Sequence, residues 1–306
     1  MTSAPTVVEA VPESDWTPAL LQVYQHLPIG QRLPQVENML ASVQAGKVSL
    51  ELLLRATRQR KTVGVVLGHV MPGRIAVVWP PQLDAGEADD TAQVLLDHLL
   101  DSLNQRDIDL AQAVLPRDRG QARQRLEAAG FRSVSELIYM ALPLRRPRHA
   151  TAPNAFAPHF TLELVGDQFE RLGAVIEATY IETLDLPELD GCRKIGDTLQ
   201  GYKGTGTYRS DWWWIARRGE IDIGCLLLAD HPESEQAELI YVGVAPSFRG
   251  RGYGSLLTEF AAQVSQQAGR KRLILAVDAG NHPAIKVYEE AGFLSWDRRD
   301  VFLRKM

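Results

Sequence analysis

Ala237-Glu-Leu-Ile-Tyr-Val-Gly-Val-Ala-Pro-Ser-Phe-Arg-Gly-Arg-Gly-Tyr-Gly254 runs directly into Ser255-Leu-Leu-Thr-Glu-Phe-Ala-Ala262. An apolar strand closes at Pro246. A turn rich in glycine and arginine follows. A helix then begins, with Leu256, Leu257, Phe260, Ala261 and Val264 on its apolar face. A strand–turn–helix of this kind places free main-chain N–H groups at a helix start, where an anion such as a diphosphate can sit. Glycines at 250, 252 and 254 allow close approach and positive φ, and Arg249 and Arg251 add positive charge. One carboxylate, Glu238, stands upstream on the strand as a candidate base. Gly243 in the strand signals a bulge or a close backbone approach.

The surrounding chain sets the context. It has 306 residues, enough for two ordinary domains. Hydrophobic residues make up 45% and charged ones 23%, compatible with a packed core. The net charge of -5 argues against nucleic-acid or anionic-membrane partners. No apolar run approaches a membrane span, and the first residues lack the basic and apolar segments of a secretory signal. Two cysteines, Cys192 and Cys225, fit a reducing, cytoplasmic setting. The seven histidines show no metal-ligand spacing, so no metal is expected.

Outward from the glycine turn, the chain repeats itself. Arg125-Leu-Glu-Ala-Ala-Gly-Phe-Arg-Ser133 matches Val287-Tyr-Glu-Glu-Ala-Gly-Phe-Leu-Ser295. Each copy ends a helical stretch with a glycine suited to a left-handed cap and leads into a final β-type segment, 135–142 or 299–304. The first half reads as strands at 62–70 and 74–78, the second of them ended by Pro80-Pro81. A helix over 91–103 and a short strand at 111–115 follow. The second half reads as a hairpin of 212–217 and 220–229, then strand 238–244, the glycine turn, the helix and strand 272–277. The stretch 145–158, with three prolines, reads as the linker, and 184–208 as an irregular insertion. Domains are expected at 1–147 and 148–306. The fold class is α/β with a mixed sheet (α+β).

Two signatures in the second half resemble the GCN5-related N-acetyltransferase (GNAT) superfamily. One is Arg249-Gly-Arg-Gly252-Tyr-Gly254. The other is Asn281, Ala284, Tyr288 and Gly292-Phe293, in the family's order and spacing. The tandem layout, with an eroded first copy, is similar to that of the mycothiol synthase group. This resemblance implies two GNAT-like domains and acetyl-coenzyme A as co-substrate. Main-chain amides over 249–255, including those of Tyr253 and Ser255, would hold the pyrophosphate. Val242, Gly243 and Val244 would contact the pantetheine where two strands splay, with Asn281 and Ala284 on the facing side. Glu238 falls at the family's glutamate position and is expected to take the proton from the amine. Tyr288 is expected to protonate the leaving thiolate, and a main-chain N–H at the bulge, that of Val242, to hold the oxyanion.

The implied reaction is direct acetyl transfer to a primary amine in a ternary complex, in a monomer or homodimer. The expected acceptor is a small molecule, with a protein N-terminus or lysine as runner-up. A cofactor-binding regulator without catalysis is the rival of another class; Glu238 and Tyr288 favour catalysis. A dinucleotide site is disfavoured: Asp278 has the right spacing for a ribose, but Leu257 stands where a third glycine belongs. An ATPase-type loop fails for want of Lys-Ser/Thr after the glycines. Trp212, Trp213 and Trp214 read mostly as core, with one of them a minor candidate for the acceptor wall. Glu182, Asp185, Glu188 and Asp190 read as a wet acidic loop or an attractor for a cationic amine. In the first half, Leu126 stands opposite Tyr288 and Arg119 opposite Asn281. No carboxylate within 71–80 matches Glu238, and the turn after 80 carries prolines and four acids. That half is expected to hold no cofactor.

Overall fold

The computed structural model describes residues 5–144, 160–187 and 192–306. The linker expected at 145–158, together with Glu188 and Asp190, lies outside these. The chain forms two compact units, Met1–Val134 with Asp300–Met306, and Ser135–Arg299. In sequence order the first half contains β1 (Val7–Ala10), α1 (Trp16–Val23), α2 (Ile29–Gln44), β2 (Leu53–Arg58), β3 (Lys61–Met71), β4 (Ile75–Leu83), α3 (Asp89–Asn104), β5 (Leu110–Pro116), α4 (Gly120–Ala128) and β6 (Arg132–Pro143). The second contains β7 (Thr161–Leu164), α5 (Phe169–Tyr180), α6 (Ile195–Lys203), β8 (Trp213–Arg218), β9 (Ile221–His231), β10 (Gln236–Val244), α7 (Tyr253–Gln267), β11 (Arg272–Asp278), α8 (His282–Glu290) and β12 (Leu294–Lys305).

Each unit is built on a mixed sheet. In the first the order is β1-β2-β3-β4-β5 and the end of β12; in the second it is β6-β11-β10-β9-β8-β7. Each unit therefore takes its closing strand from the other half of the sequence. The unit bounds depart from 1–147 and 148–306 for that reason. In the second unit β6 pairs antiparallel with β11 along its whole length, from Arg272 opposite Pro143 to Asp278 opposite Leu137.

The helices follow the apolar periodicity. α3 buries Leu95, Leu96, Leu99, Leu100 and Leu103 against the first sheet. α7 buries Leu257, Phe260 and Ala261 against the second, where full burial of a large apolar side chain stabilises by about 1.5–3 kcal/mol. The two repeated Ala-Gly-Phe corners close alike. Gly130 and Gly292 have φ of +83° and +96°, and the N–H of Phe131 and Phe293 donates to the carbonyls of Leu126 and Tyr288.

Two expectations need correction. β4 does not end at Pro80-Pro81 but continues to Leu83. It pairs with β5 only over Ile75, Ala76 and Val77, so the prolines fall where one side of the strand has no ladder to break. The insertion at 184–208 contains a helix, α6, despite Gly196 and Gly201. Ile195, Leu199 and Tyr202 share one face, packed on the core around α5. Gly173 makes the approach possible, since a Cβ there would stand 3.1 Å from Ile195.

Candidate active site

β10 creates the site by parting from its neighbour. It keeps its antiparallel pairing with β9 as far as Val244, but its parallel pairing with β11 covers only Gln236, Ala237 and Glu238. β11 meanwhile stays with β6. Beyond Glu238 the two strands splay, and the main-chain groups of 239–244 that face β11 are left without a strand partner. The register with β9 slips between Leu239 and Tyr241, so Ile240 is the bulged residue. The bulge expected near Gly243 and Val242 thus lies upstream of both. Gly243 instead marks a close approach: a Cβ there would fall 2.5 Å from Thr179 Oγ1. That hydroxyl is 2.6 Å from the Tyr241 hydroxyl.

The splay opens a groove of about 220 Å³. Val242, Gly243, Val244, Arg249, Gly254, Asn281, Ala284 and Tyr288 all line it, so residues from two distant signatures meet there. Gly250 and Gly252 have φ of +73° and +82°, and Gly252 caps α7 with no side chain in the way. The first amides of α7, including those of Tyr253, Gly254 and Ser255, have no carbonyl a turn earlier to bond. With the dipole of a 15-residue helix behind them, they are suited to an anion at the end of the groove. The Tyr253 side chain packs edge-on against Phe160, centroids 5.6 Å apart, so only its main chain faces an anion. Asn281 caps α8 by accepting from the Ala284 N–H at 3.3 Å, which leaves its amide donors for the groove.

Arg249 is committed differently from the phosphate contact expected of it. Its guanidinium donates to the carbonyls of Val244 (3.0 Å), Glu182 (3.0 Å), Thr179 (2.8 Å) and Ile181 (2.9 Å). It ties the end of α5 to the end of β10 and so holds the groove wall. Arg251 lies over the Phe248 ring at 5.7 Å and remains exposed to solvent, where its guanidinium is open to an anion.

Glu238 stands at the foot of the splay, on the sheet face opposite the buried Ala237 and Leu239. It accepts from His231 Nε2 at 2.8 Å. Tyr288 is buried, and that burial, with the charge of Asp185 adding to it, pushes its hydroxyl above the ordinary tyrosine range. A second cavity of about 370 Å³ shares Thr183, Asp185, Ile240, Tyr241 and Ala276 with the groove. Its wall includes Tyr180, Tyr202 and Tyr241; Tyr180 and Tyr202 have hydroxyls 3.1 Å apart, and the rings of Tyr202 and Tyr241 stack at 5.5 Å. Burial raises all three pKa values. Asp185 keeps an open surface yet is ringed by protein. Loss of hydration raises its pKa, the N–H of Asp278 opposes that rise, and the Asp278 charge adds to it.

Not every sequence candidate belongs here. Trp212, Trp213 and Trp214 are all buried in the core, and none lines either cavity. Asp278 serves structure: its carboxylate accepts from Ser135, Leu186 and Gly280. The sequence reading missed His231 and the Thr179–Tyr241 pair. His231 could have been found from the hairpin, since strands that turn over 232–235 bring it back beside Glu238. Thr179 and Tyr241 are 62 residues apart, with no local pattern linking them.

The first unit shows the same splay with its space taken. Val77, the third residue of β4 paired with β5, holds the place of Glu238. Arg125 donates to the Pro81 carbonyl (3.0 Å) and to Asp89 at the start of α3 (2.7 Å). Gln25 reaches the Leu83 carbonyl and Gln22 the Gln82 carbonyl. Side chains occupy the strand edge and the helix start that stand open in the second unit.

Residues 188–293 match the model of the acetyltransferase (GNAT) family. That stretch lies in the second unit, which is thus similar to the GNAT acetyltransferases. The chain is 27% identical over 176 residues to a mycothiol acetyltransferase of Streptomyces bingchenggensis, covering 58% of this chain and 56% of that protein. It is 36% identical over 75 residues to one of Corynebacterium glutamicum, covering 24% and 25%. The matched stretch thus spans about half the first relative's length and a quarter of the second's. The fold agrees over nearly the whole chain with a GCN5-related N-acetyltransferase from Sphaerobacter thermophilus (TM-score 0.65, 15% identity, 99% and 97% of the two chains). It agrees also with a tandem GNAT protein from the clavulanic acid biosynthesis pathway (TM-score 0.53, 14% identity, 98% of each chain). Among the described residues, no helix is long and apolar enough to cross a membrane, and no His, Cys, Asp and Glu group could hold a metal ion.

Proposed function

We propose that this protein transfers the acetyl group of acetyl-coenzyme A to the primary amine of a small molecule. The observation that carries the reading is the groove between β10 and β11, with the start of α7 at one end; Glu238 is the last paired residue before the splay, next in sequence to Leu239 of the groove wall, and lines neither cavity itself. The pyrophosphate lies on the α7 amides beside Arg251. The pantetheine runs along Val242, Gly243 and Val244 as an added strand, opposite Asn281 and Ala284. The acceptor enters through the tyrosine-walled cavity, which meets the groove at Asp185 and Tyr241. The size of that cavity favours a small acceptor over a polypeptide. The relatives named mycothiol acetyltransferases support a small-molecule acceptor as well.

Glu238 takes a proton from the ammonium, and the free amine attacks the thioester carbonyl. Main-chain N–H groups freed by the bulge stabilise the oxyanion. When the C–S bond breaks, Tyr288 gives its proton to the thiolate, and the second proton of the attacking nitrogen passes through solvent to the tyrosinate, which leaves a neutral amide and a free thiol. The first unit holds no cofactor, because Arg125, Gln22 and Gln25 fill its edge.

The test combines calorimetry with a panel of amines and peptides, in which release of free coenzyme A thiol is followed. One equivalent of cofactor per chain and turnover of a small amine are expected. Two equivalents would refute the account of the first unit. No affinity for acetyl-coenzyme A would end the whole reading, and binding without turnover of any amine or peptide would favour a regulator.

A further inference from the structure

We infer that His231 is a positioning residue for Glu238, a role that rests on the acetyl-transfer reading above. Its imidazole Nε2–H donates to Glu238 Oε2 at 2.8 Å. Both side chains are about a quarter exposed, so the pair borders solvent without being dissolved in it. A lone carboxylate on a strand samples several rotamers. A charge-assisted hydrogen bond holds one oxygen and leaves Oε1 to meet the ammonium.

The surroundings show that the imidazole is itself held. His231 ends β9 and lies opposite Gln236, while Glu238 lies opposite Ala229. The turn over 232–235 thus brings the two side chains together diagonally. Gly206, with φ of +56°, presses its main chain on the ring: a Cβ there would stand 2.7 Å from Cε1 and 2.9 Å from Nε2 of His231. Only glycine fits that contact. The Gly206 segment is pinned in turn. The N–H of Thr207 donates to the Asp230 carbonyl at 2.7 Å, and the N–H of Asp230 to the Thr207 carbonyl at 3.0 Å. The buried Asp230 carboxylate accepts two bonds from Arg270, at 2.6 and 2.8 Å. An ion pair and a β-bridge therefore fix the backbone on either side of the contact, at Asp230 and Thr207, and the imidazole held there meets the base. Stability alone does not call for this arrangement, since a partly exposed His–Glu pair contributes little.

Two measurements on the full chain test the role. In the first, long-range ¹H–¹⁵N spectra of histidine-labelled protein need no acceptor. They are expected to show His231 protonated at Nε2, with the resonance displaced in Glu238→Gln. An unprotonated Nε2, or a signal indifferent to that substitution, overturns the inference. In the second, the rate is followed with the amine that the unaltered protein acetylates fastest. His231→Ala is expected to lower kcat by about 10-fold or more, leaving KM for acetyl-coenzyme A unchanged. His231→Gln, which retains a donor, is expected to recover most of that loss. Equal losses in both variants, or none in either, overturn the inference. Failure to bind acetyl-coenzyme A would instead overturn the proposed function while leaving the spectra interpretable.

Discussion

Glu238 and Tyr288, the proposed base and acid, stand in contrasting environments. Glu238 stands at a half-open sheet face with a hydrogen-bond donor on one oxygen. Glu238→Gln keeps the shape and removes the basicity, so kcat/KM should fall by about 10²–10⁴-fold with cofactor affinity nearly intact in calorimetry. A variant within a few-fold of the parent would move the base elsewhere. Tyr288 sits inside the groove wall, where burial disfavours the phenolate, and its pKa is raised above the ordinary 10.0. A raised pKa means the hydroxyl keeps its proton as pH climbs. The alkaline limb of the kcat profile should therefore show no loss from Tyr288 at or below pH 10, measured against Tyr288→Phe. A limb near pH 9 that vanishes in Tyr288→Phe would contradict this. Both residues stand out in the sequence as candidates because they sit at fixed offsets from glycine landmarks. The fate of Arg249 was not legible there: its type suggested a phosphate ligand, and only the arrival of three α5-end carbonyls shows it to be a clamp.

At the scale of elements, the groove is a consequence of strand geometry. β9 and β10 lie so close that a Cβ at Gly224 would collide with the Gly243 carbonyl oxygen. Gly224→Ala should cost about 1–3 kcal/mol through forced separation of the two strands, read from the urea midpoint, and should weaken cofactor binding. A loss under about 0.5 kcal/mol, as at an ordinary surface position, would show that the hairpin yields easily. Strand and helix identities were largely readable, since alternation and the 3.6-residue period are local. The bulge at Ile240 was not, because it depends on how β10 is shared between β9 and β11. α6 was missed for a similar reason: its glycines weaken the local signal, and packing against α5 supplies what propensity lacks.

For the whole molecule, the exchange of terminal strands sets what can be separated. β6 comes from the first half, yet it forms the seven-residue ladder that shields β11 in the second unit. A fragment of residues 148–306 lacks it and exposes a long apolar strand edge. It should emerge from size exclusion as aggregate, or show an unfolded far-UV spectrum. A monomeric fragment that binds acetyl-coenzyme A would refute the importance of the exchange. The sequence by itself determined that there are two copies of one plan, that the second carries a glycine turn, a strand glutamate and a helix tyrosine at the spacings the proposed function uses, and that the first lacks them. These are properties of residue type and spacing, which local physics makes readable. The tertiary structure alone decided which half supplies each closing strand, what fills the first unit's edge, and that His231 rests on Glu238. Each of these depends on contacts between residues far apart in the chain, where sequence spacing carries no geometric information.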